Sequence, residues 1–119
     1  MSIAFTSGEP SGIGPDIALI YAQQERHEDL LVYGDPDVLI NRAKLLNLPI
    51  SLKEHKTRKA NELSIYPIKT KSRVEPGKLN PDNSDYVLSL IRLATIDCVN
   101  KNCGGMLTGP INKAVINQS

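Results

Sequence analysis

At 119 residues and 40% hydrophobic side chains, the chain has material for one small domain with a modest core. Its 14 basic and 13 acidic residues leave a net charge of +1, which offers no electrostatic footprint for nucleic acid or an anionic membrane. No apolar run approaches the roughly 20 residues that span a bilayer, and Met1-Ser2-Ile3 carries no charged leader, so a cytoplasmic place is expected.

Residues 3–6 read as a short buried strand that runs into Gly8-Glu9-Pro10-Ser11-Gly12-Ile13-Gly14-Pro15. Three glycines permit positive φ and close approach of another group, and Pro15 suits a first helical position. A strand, a glycine turn and a helix start present backbone N–H groups and the positive end of the helix dipole, which favour phosphate or carboxylate. The same residues are equally what the turn itself demands. The spacing G-x-x-x-G-x-G fits neither the dinucleotide fingerprint nor the Walker loop, and Glu9 and Asp16 would repel a bare phosphate. A helix over residues 15–24 follows, with Ile17, Ala18, Ile20 and Tyr21 at helical spacing.

Residues 30–33 form a second apolar strand, ended by Gly34. Asp35 then caps a helix that begins at Pro36, carries Val38, Leu39, Ala43 and Leu46 inward, and stops near Asn47. Two strands joined by a helix imply a parallel pair with a right-handed crossover, so the fold class is α/β. Residues 49–52 read as a third, shorter strand and residues 54–62 as a solvated loop whose Lys and Arg residues need no partner.

Residues 63–66 alternate in polarity, and Pro67 argues for an edge strand. A turn at residues 74–78 leads to a long helix after Asn80-Pro81, with Val87, Leu90, Ile91, Ala94 and Cys98 on one stripe. Leu88, Leu93 and Val99 broaden that stripe until it wants cover on more than one side. Gly104-Gly105 break the chain, Met106-Leu107 make a brief buried strand, Thr108-Gly109-Pro110 turn, and residues 111–117 begin a last helix.

The chemistry-bearing residues are sparse. His27 and His55 lie far apart in sequence and read as exposed surface histidines, outside any metal-ligand pair. Cys98 and Cys103 form no CxxC motif, so they spell neither a metal knuckle nor a disulfide framework. Ser7 and Ser11 have no neighbouring base. Thr108 and Lys113 are the other candidates, because ligands of open α/β sheets bind at the carboxyl ends of strands. Thr108 would donate to a phosphate or carboxylate and Lys113 would neutralise it; alternatively Thr108 caps the helix and Lys113 is solvated.

The two loops together resemble a known family. The order Thr6-Ser7-Gly8-Glu9-Pro10-Ser11-Gly12-Ile13-Gly14-Pro15-Asp16, then Asn41-Arg42-Ala43 before Leu48-Pro49, Pro76-Gly77-Lys78-Leu79, and Thr108-Gly109-Pro110-Ile111-Asn112-Lys113 is similar to the 4-hydroxythreonine-4-phosphate dehydrogenases of vitamin B6 biosynthesis. The resemblance runs along the whole chain.

It implies a parallel-sheet segment of the isocitrate/isopropylmalate dehydrogenase-like fold, from a homodimer of two-domain subunits with the active site in the cleft. It also implies NAD or NADP and a divalent metal, oxidation of a small-molecule substrate, 4-phosphohydroxy-L-threonine, at C3, and decarboxylation of the keto acid. On this resemblance Gly8, Glu9, Gly12 and Gly14 face the cofactor, near its nicotinamide side, and Thr108 and Lys113 lead toward the substrate. The family's metal-binding and catalytic histidines fall beyond the Thr-Gly-Pro-x-x-Lys segment, and neither His27 nor His55 matches them. The expectation is therefore an amino-terminal α/β segment, residues 1–119, of a dehydrogenase subunit, inactive by itself. The alternative is a stand-alone module that binds a small anion or serves assembly.

Overall fold

The structure is a computed structural model that describes residues 2–70, 74, 76–78, 80–100 and 103–109. In chain order it runs β1 (Ser2–Thr6), α1 (Gly14–Tyr21), β2 (Asp29–Gly34), α2 (Pro36–Leu46), β3 (Ser51–Lys53) and β4 (Glu62–Pro67). A 3-10 turn (Pro81–Asn83), α3 (Ser84–Val99) and β5 (Cys103–Thr108) complete it. The sheet order is β3-β4-β2-β1-β5, and every pairing is parallel.

Alternation along the strands splits the core in two. Phe5, Leu30, Val32, Leu63 and Ile65 face α1 and α2 and meet Ala18, Leu19, Ala22, Leu39 and Ala43. Ala4, Tyr33 and Cys103 face the other side and meet Tyr86, Val87, Leu90 and Ala94 of α3. The chain steps outward from β1 to β3 over one face and returns from β4 to β5 over the other, as a single crossover hand requires. The carboxyl ends of β2 and β4 therefore send their connections to opposite faces, and a crevice opens between them.

Local signals set α2. Asp35 at its N-cap accepts from the Asp37 N–H at 2.9 Å, Pro36 opens the first turn, and Asn47 ends the helix in the left-handed region at φ 57°. Its inward residues are Leu39, Arg42 and Ala43, while Leu46, expected inside, is exposed.

The phase of α1 also differs from the periodicity. Ala18, Leu19 and Ala22 are buried, and Ile17, Ile20 and Tyr21 point outward, Ile20 with 60% of its surface exposed. Two alanines flanking one leucine let the helix lie close on the sheet, which turns the isoleucines away. The helix ends at Tyr21 rather than at residue 24.

β4 is an interior strand, between β3 and β2. Pro67 is tolerated because β3 pairs only with residues 62–64. Ile68 donates to the Gly34 carbonyl at 2.9 Å, so the alternation turns the Pro67 nitrogen toward the side where β3 has already ended.

Gly104-Gly105 belong to β5 and do not break the chain. The register pairs Ser2 with Cys103 and Ile3 with Gly105, which leaves Gly104 as an extra residue in the ladder. β5 lies at the edge of the sheet, and Met106 and Leu107 are exposed, Leu107 by 56%, where a buried strand was expected. The stripe on α3 is buried at Val87, Leu90 and Ala94 and partly at Ile91, Leu93 and Cys98, whereas Leu88, Ile96 and Val99 are uncovered. The helix expected at residues 111–117 lies outside the described residues. Among the described residues no helix is long and apolar enough to cross a membrane.

Candidate functional site

The glycine loop begins where β1 ends, and its geometry centres on Ser7. The Ser7 N–H and hydroxyl both approach the Tyr33 carbonyl at 3.3 Å, and Gly8 follows at φ 74°. A Cβ on Gly14 would lie 1.7 Å from the Ser7 carbonyl oxygen, one on Gly109 would lie 2.6 Å from it, and one on Gly34 would lie 2.9 Å from the Ser7 hydroxyl. Three connections thus close on one residue, and packing within the protein is what requires glycine at these three positions.

Arg42 fixes the shape of the loop from α2. Its Nη1 donates to the Gly12 carbonyl at 2.7 Å and to Asp16 Oδ1 at 2.8 Å, and its Nη2 donates to the Pro10 carbonyl at 2.8 Å. Gly77 of the later turn donates to the Ser11 carbonyl at 2.7 Å. Gly12 itself closes a tight turn onto the Glu9 carbonyl at 3.0 Å.

These contacts change the charge of the loop. Asp16 is held by the Arg42 guanidinium. Glu9 is only 4% exposed, accepts from the Ser11 hydroxyl at 3.3 Å, and burial pushes its carboxyl above the usual carboxylate range. Asp16 also sits in the first turn of α1, where an acidic side chain already complements the helix dipole. With one acidic side chain already at the helix start and another buried beside it, the loop is poorly suited to a phosphate.

Thr108 ends β5 level with Thr6, and Gly109 donates to the Thr6 carbonyl at 2.6 Å. Thr108 is exposed at this corner. The structure therefore brings Gly8, Glu9, Gly12, Gly14 and Thr108 to adjacent carboxyl ends of the sheet; Lys113 lies outside the described residues. Thr6 is fully buried here, and its hydroxyl has no hydrogen-bond partner.

The next corner is built around Asp35. It accepts from the Thr70 N–H at 2.9 Å and the Thr70 hydroxyl at 3.2 Å, and its own N–H donates to the Tyr86 hydroxyl at 2.8 Å. Burial pushes the Tyr86 phenol up to about 12. Asp35, Arg42, Lys69 and Thr70 line a cavity of about 550 Å3 in the crevice between β2 and β4.

Among the described residues no three His, Cys, Asp or Glu side chains are placed to hold a metal ion, so this wall does not fit the divalent metal of the resembled family. His27 and His55 are exposed, as expected, yet they line one cavity at the opposite end of the sheet, a convergence their separation in sequence hides. Sequence reasoning also gave no role to Arg42 and Tyr86. For Arg42 a signal exists: a charged residue on the inward face of α2, between Leu39 and Ala43.

Comparison with known proteins supplies the family context. Residues 26–119 match the family described as pyridoxal phosphate biosynthetic protein PdxA. The 4-hydroxythreonine-4-phosphate dehydrogenase of Yersinia pseudotuberculosis serotype O:1b is 38% identical over 98% of this chain and 37% of its own length. That of Saccharophagus degradans is 38% identical over 98% of this chain and 36% of its own. The chain thus spans little more than a third of these relatives. A crystal structure of 4-hydroxythreonine-4-phosphate dehydrogenase from Klebsiella pneumoniae superimposes with a TM-score of 0.83 at 23% identity, over 98% of this chain and 39% of that one. One from Burkholderia phymatum gives 0.82 at 19% identity, over 98% and 38%. These superpositions show a shared fold.

Proposed function

The chain belongs to the family of the pyridoxal phosphate biosynthetic protein PdxA, and on that premise we propose that it forms one wall of the active site of a 4-hydroxythreonine-4-phosphate dehydrogenase. The observation that carries this reading is the meeting of the Gly8-to-Gly14 loop with Thr108 at adjacent carboxyl ends of a parallel sheet.

The reaction is oxidation of the C3 hydroxyl of the phosphorylated hydroxyamino acid, followed by decarboxylation. Bound NAD or NADP supplies the hydride acceptor. In this reading the loop, with Asp16 paired to Arg42 and the buried Glu9 carboxyl pushed above the usual carboxylate range, meets the nicotinamide end and excludes water from it. Arg42 keeps the loop in one shape, and the Thr108 hydroxyl donates toward substrate, with Lys113 beyond it as a cation for the phosphate. Metal-binding and proton-transferring groups come from outside the residues described, as does the second subunit of a homodimer.

This wall alone would hold a cofactor weakly, so the test is NMR titration of the protein with NAD or NADP at millimolar concentration. Amide shifts at residues 8–14 and 108–109 are expected. Shifts confined to other parts of the sheet would contradict the reading.

A further inference from the structure

At the end of the sheet opposite the glycine loop, the segment leaving α1 and the loop between β3 and β4 border an open cavity of about 790 Å3 lined by charged and polar residues. A strand length of about 17 Å separates the two ends. Parallel neighbours ordinarily need a crossover of about a dozen residues or more, usually helical. Residues 54–61 join β3 to β4 without a helix and are braced from the α1 side instead.

The brace is Arg26, only 8% exposed. Its guanidinium donates to the carbonyls of Ala22 (3.2 Å), Gln24 (3.2 Å), Thr57 (3.4 Å) and Glu62 (2.6 Å), and its N–H donates to the Arg58 carbonyl at 2.9 Å. Carbonyls solvate a cation without neutralising it. Among the described residues no carboxylate pairs with Arg26, and its buried Nε has no partner at all.

Four more groups of positive or imidazole character, His27, His55, Lys56 and Lys59, line the same cavity from the exposed side without an ion pair among the described residues, and Arg58 reaches the His27 carbonyl at 3.4 Å. Three carboxylates, Glu25, Asp29 and Glu62, share the wall with the four Lys and Arg side chains Arg26, Lys56, Arg58 and Lys59, which leaves the cations one ahead. Asp29 accepts from Thr57 N–H (2.9 Å), Ser64 hydroxyl (2.8 Å) and Ser2 hydroxyl (2.5 Å) and is turned into the protein. Glu62 accepts from the Thr57 hydroxyl at 2.7 Å, which together with the nearby Lys53, Lys59 and His55 holds its carboxyl below the usual range.

We propose that this cavity binds a small phosphate-bearing anion of the pyrophosphate class, at a site separate from the glycine loop. The volume falls within the roughly 300–1,000 Å3 usual for small-molecule sites. Lys56 and Lys59 provide point charges and Arg58 an exposed guanidinium for phosphate oxygens, on a wall that Arg26 braces with its terminal N–H groups already given to four carbonyls. A concave site on a chain of net charge +1 favours a small anion over nucleic acid.

The probe is inorganic pyrophosphate, titrated into the protein by calorimetry and NMR at low ionic strength. Saturable binding with a Kd of about 1 mM or tighter is expected, with shifts at the His27 and His55 rings and weakening as salt rises. A Lys56→Ala/Lys59→Ala double variant, altered only at exposed side chains, should weaken binding about tenfold or more, whereas Lys44→Ala on α2 should leave it unchanged. Absence of saturable binding, binding unaffected by the double variant, or shifts at residues 8–14 instead would each overturn the proposal. The nicotinamide titration reads different residues, so the two readings fail separately.

Discussion

The Cα of Gly14 faces the carbonyl of Ser7 so closely that a Cβ there would sit 1.7 Å from its oxygen. No rotamer relieves that overlap, because both partners are backbone. Gly14→Ala should therefore destabilise the protein by about 2–4 kcal/mol. Gly77→Ala, where nothing lies within 4 Å, should cost less and only through its φ of 77°. Urea denaturation of the two variants checks the order; equal losses would mean that the Ser7 carbonyl moves aside at little cost and that packing does not require glycine at position 14.

Arg42 joins α2 to two loop carbonyls and to Asp16. Arg42→Met keeps the aliphatic volume and removes these bonds, and the expected loss is about 2–3 kcal/mol, because Asp16 keeps partial access to water and the carbonyls lose a charged donor. Coupling in a double-mutant cycle with Asp16→Asn measures the ion pair separately. Faster amide exchange at Gly12 and Ile13 should accompany the single variant. Unchanged exchange there would remove Arg42 from its role as the loop's clamp.

Glu9 gives a pH dependence of definite sign. Burial raises its carboxyl in the folded protein above the ordinary value of 4.5. Between those two values the native state keeps a proton that the unfolded chain has lost, so the stability from the protonated form is full below the ordinary value. It is lost as pH rises through the raised one. Glu9→Gln should match the wild type at low pH and exceed it at neutral pH. Parallel stability curves across that range would show that Glu9 is not buried as an acid.

Tyr86 supports the Asp35 corner through one hydrogen bond, accepting from the Asp35 N–H at 2.8 Å. Tyr86→Phe leaves that buried donor unmatched at a cost of about 1–2 kcal/mol. The Asp35 amide should exchange faster in the variant. Protection equal to the wild type would mean that another acceptor replaces the phenol.

Much of this was legible in the residues because the signals are local. Asp35-Pro36 and Asn47 mark both ends of α2 by chemistry confined to one turn, and strand–turn–helix order fixes a parallel sheet. What escaped is long-range. That Gly14, Gly34 and Gly109 all serve Ser7 depends on three connections meeting at one corner, which glycine content cannot reveal. The α1 phase failed because Ala18 and Ala22 weigh little in a hydrophobic pattern yet pack closest. β5 read as buried because apolar content does not tell an edge from a centre, and the convergence of His27 with His55 depends on an uncommon loop between parallel neighbours. The resemblance located the candidate site at Gly8, Glu9, Gly12, Gly14 and Thr108, and their adjacency at the strand ends became visible only in the fold.

Joining residues 1–119 to the remaining two thirds of the Yersinia pseudotuberculosis dehydrogenase tests the central claim most directly. A folded chimera should reduce NAD or NADP in the presence of 4-phosphohydroxy-L-threonine and a divalent metal, within about a hundredfold of the intact relative, and Thr108→Val should lower kcat/KM. A folded, dimeric chimera that binds cofactor and gives no turnover would contradict the claim that this chain supplies a working wall of that active site.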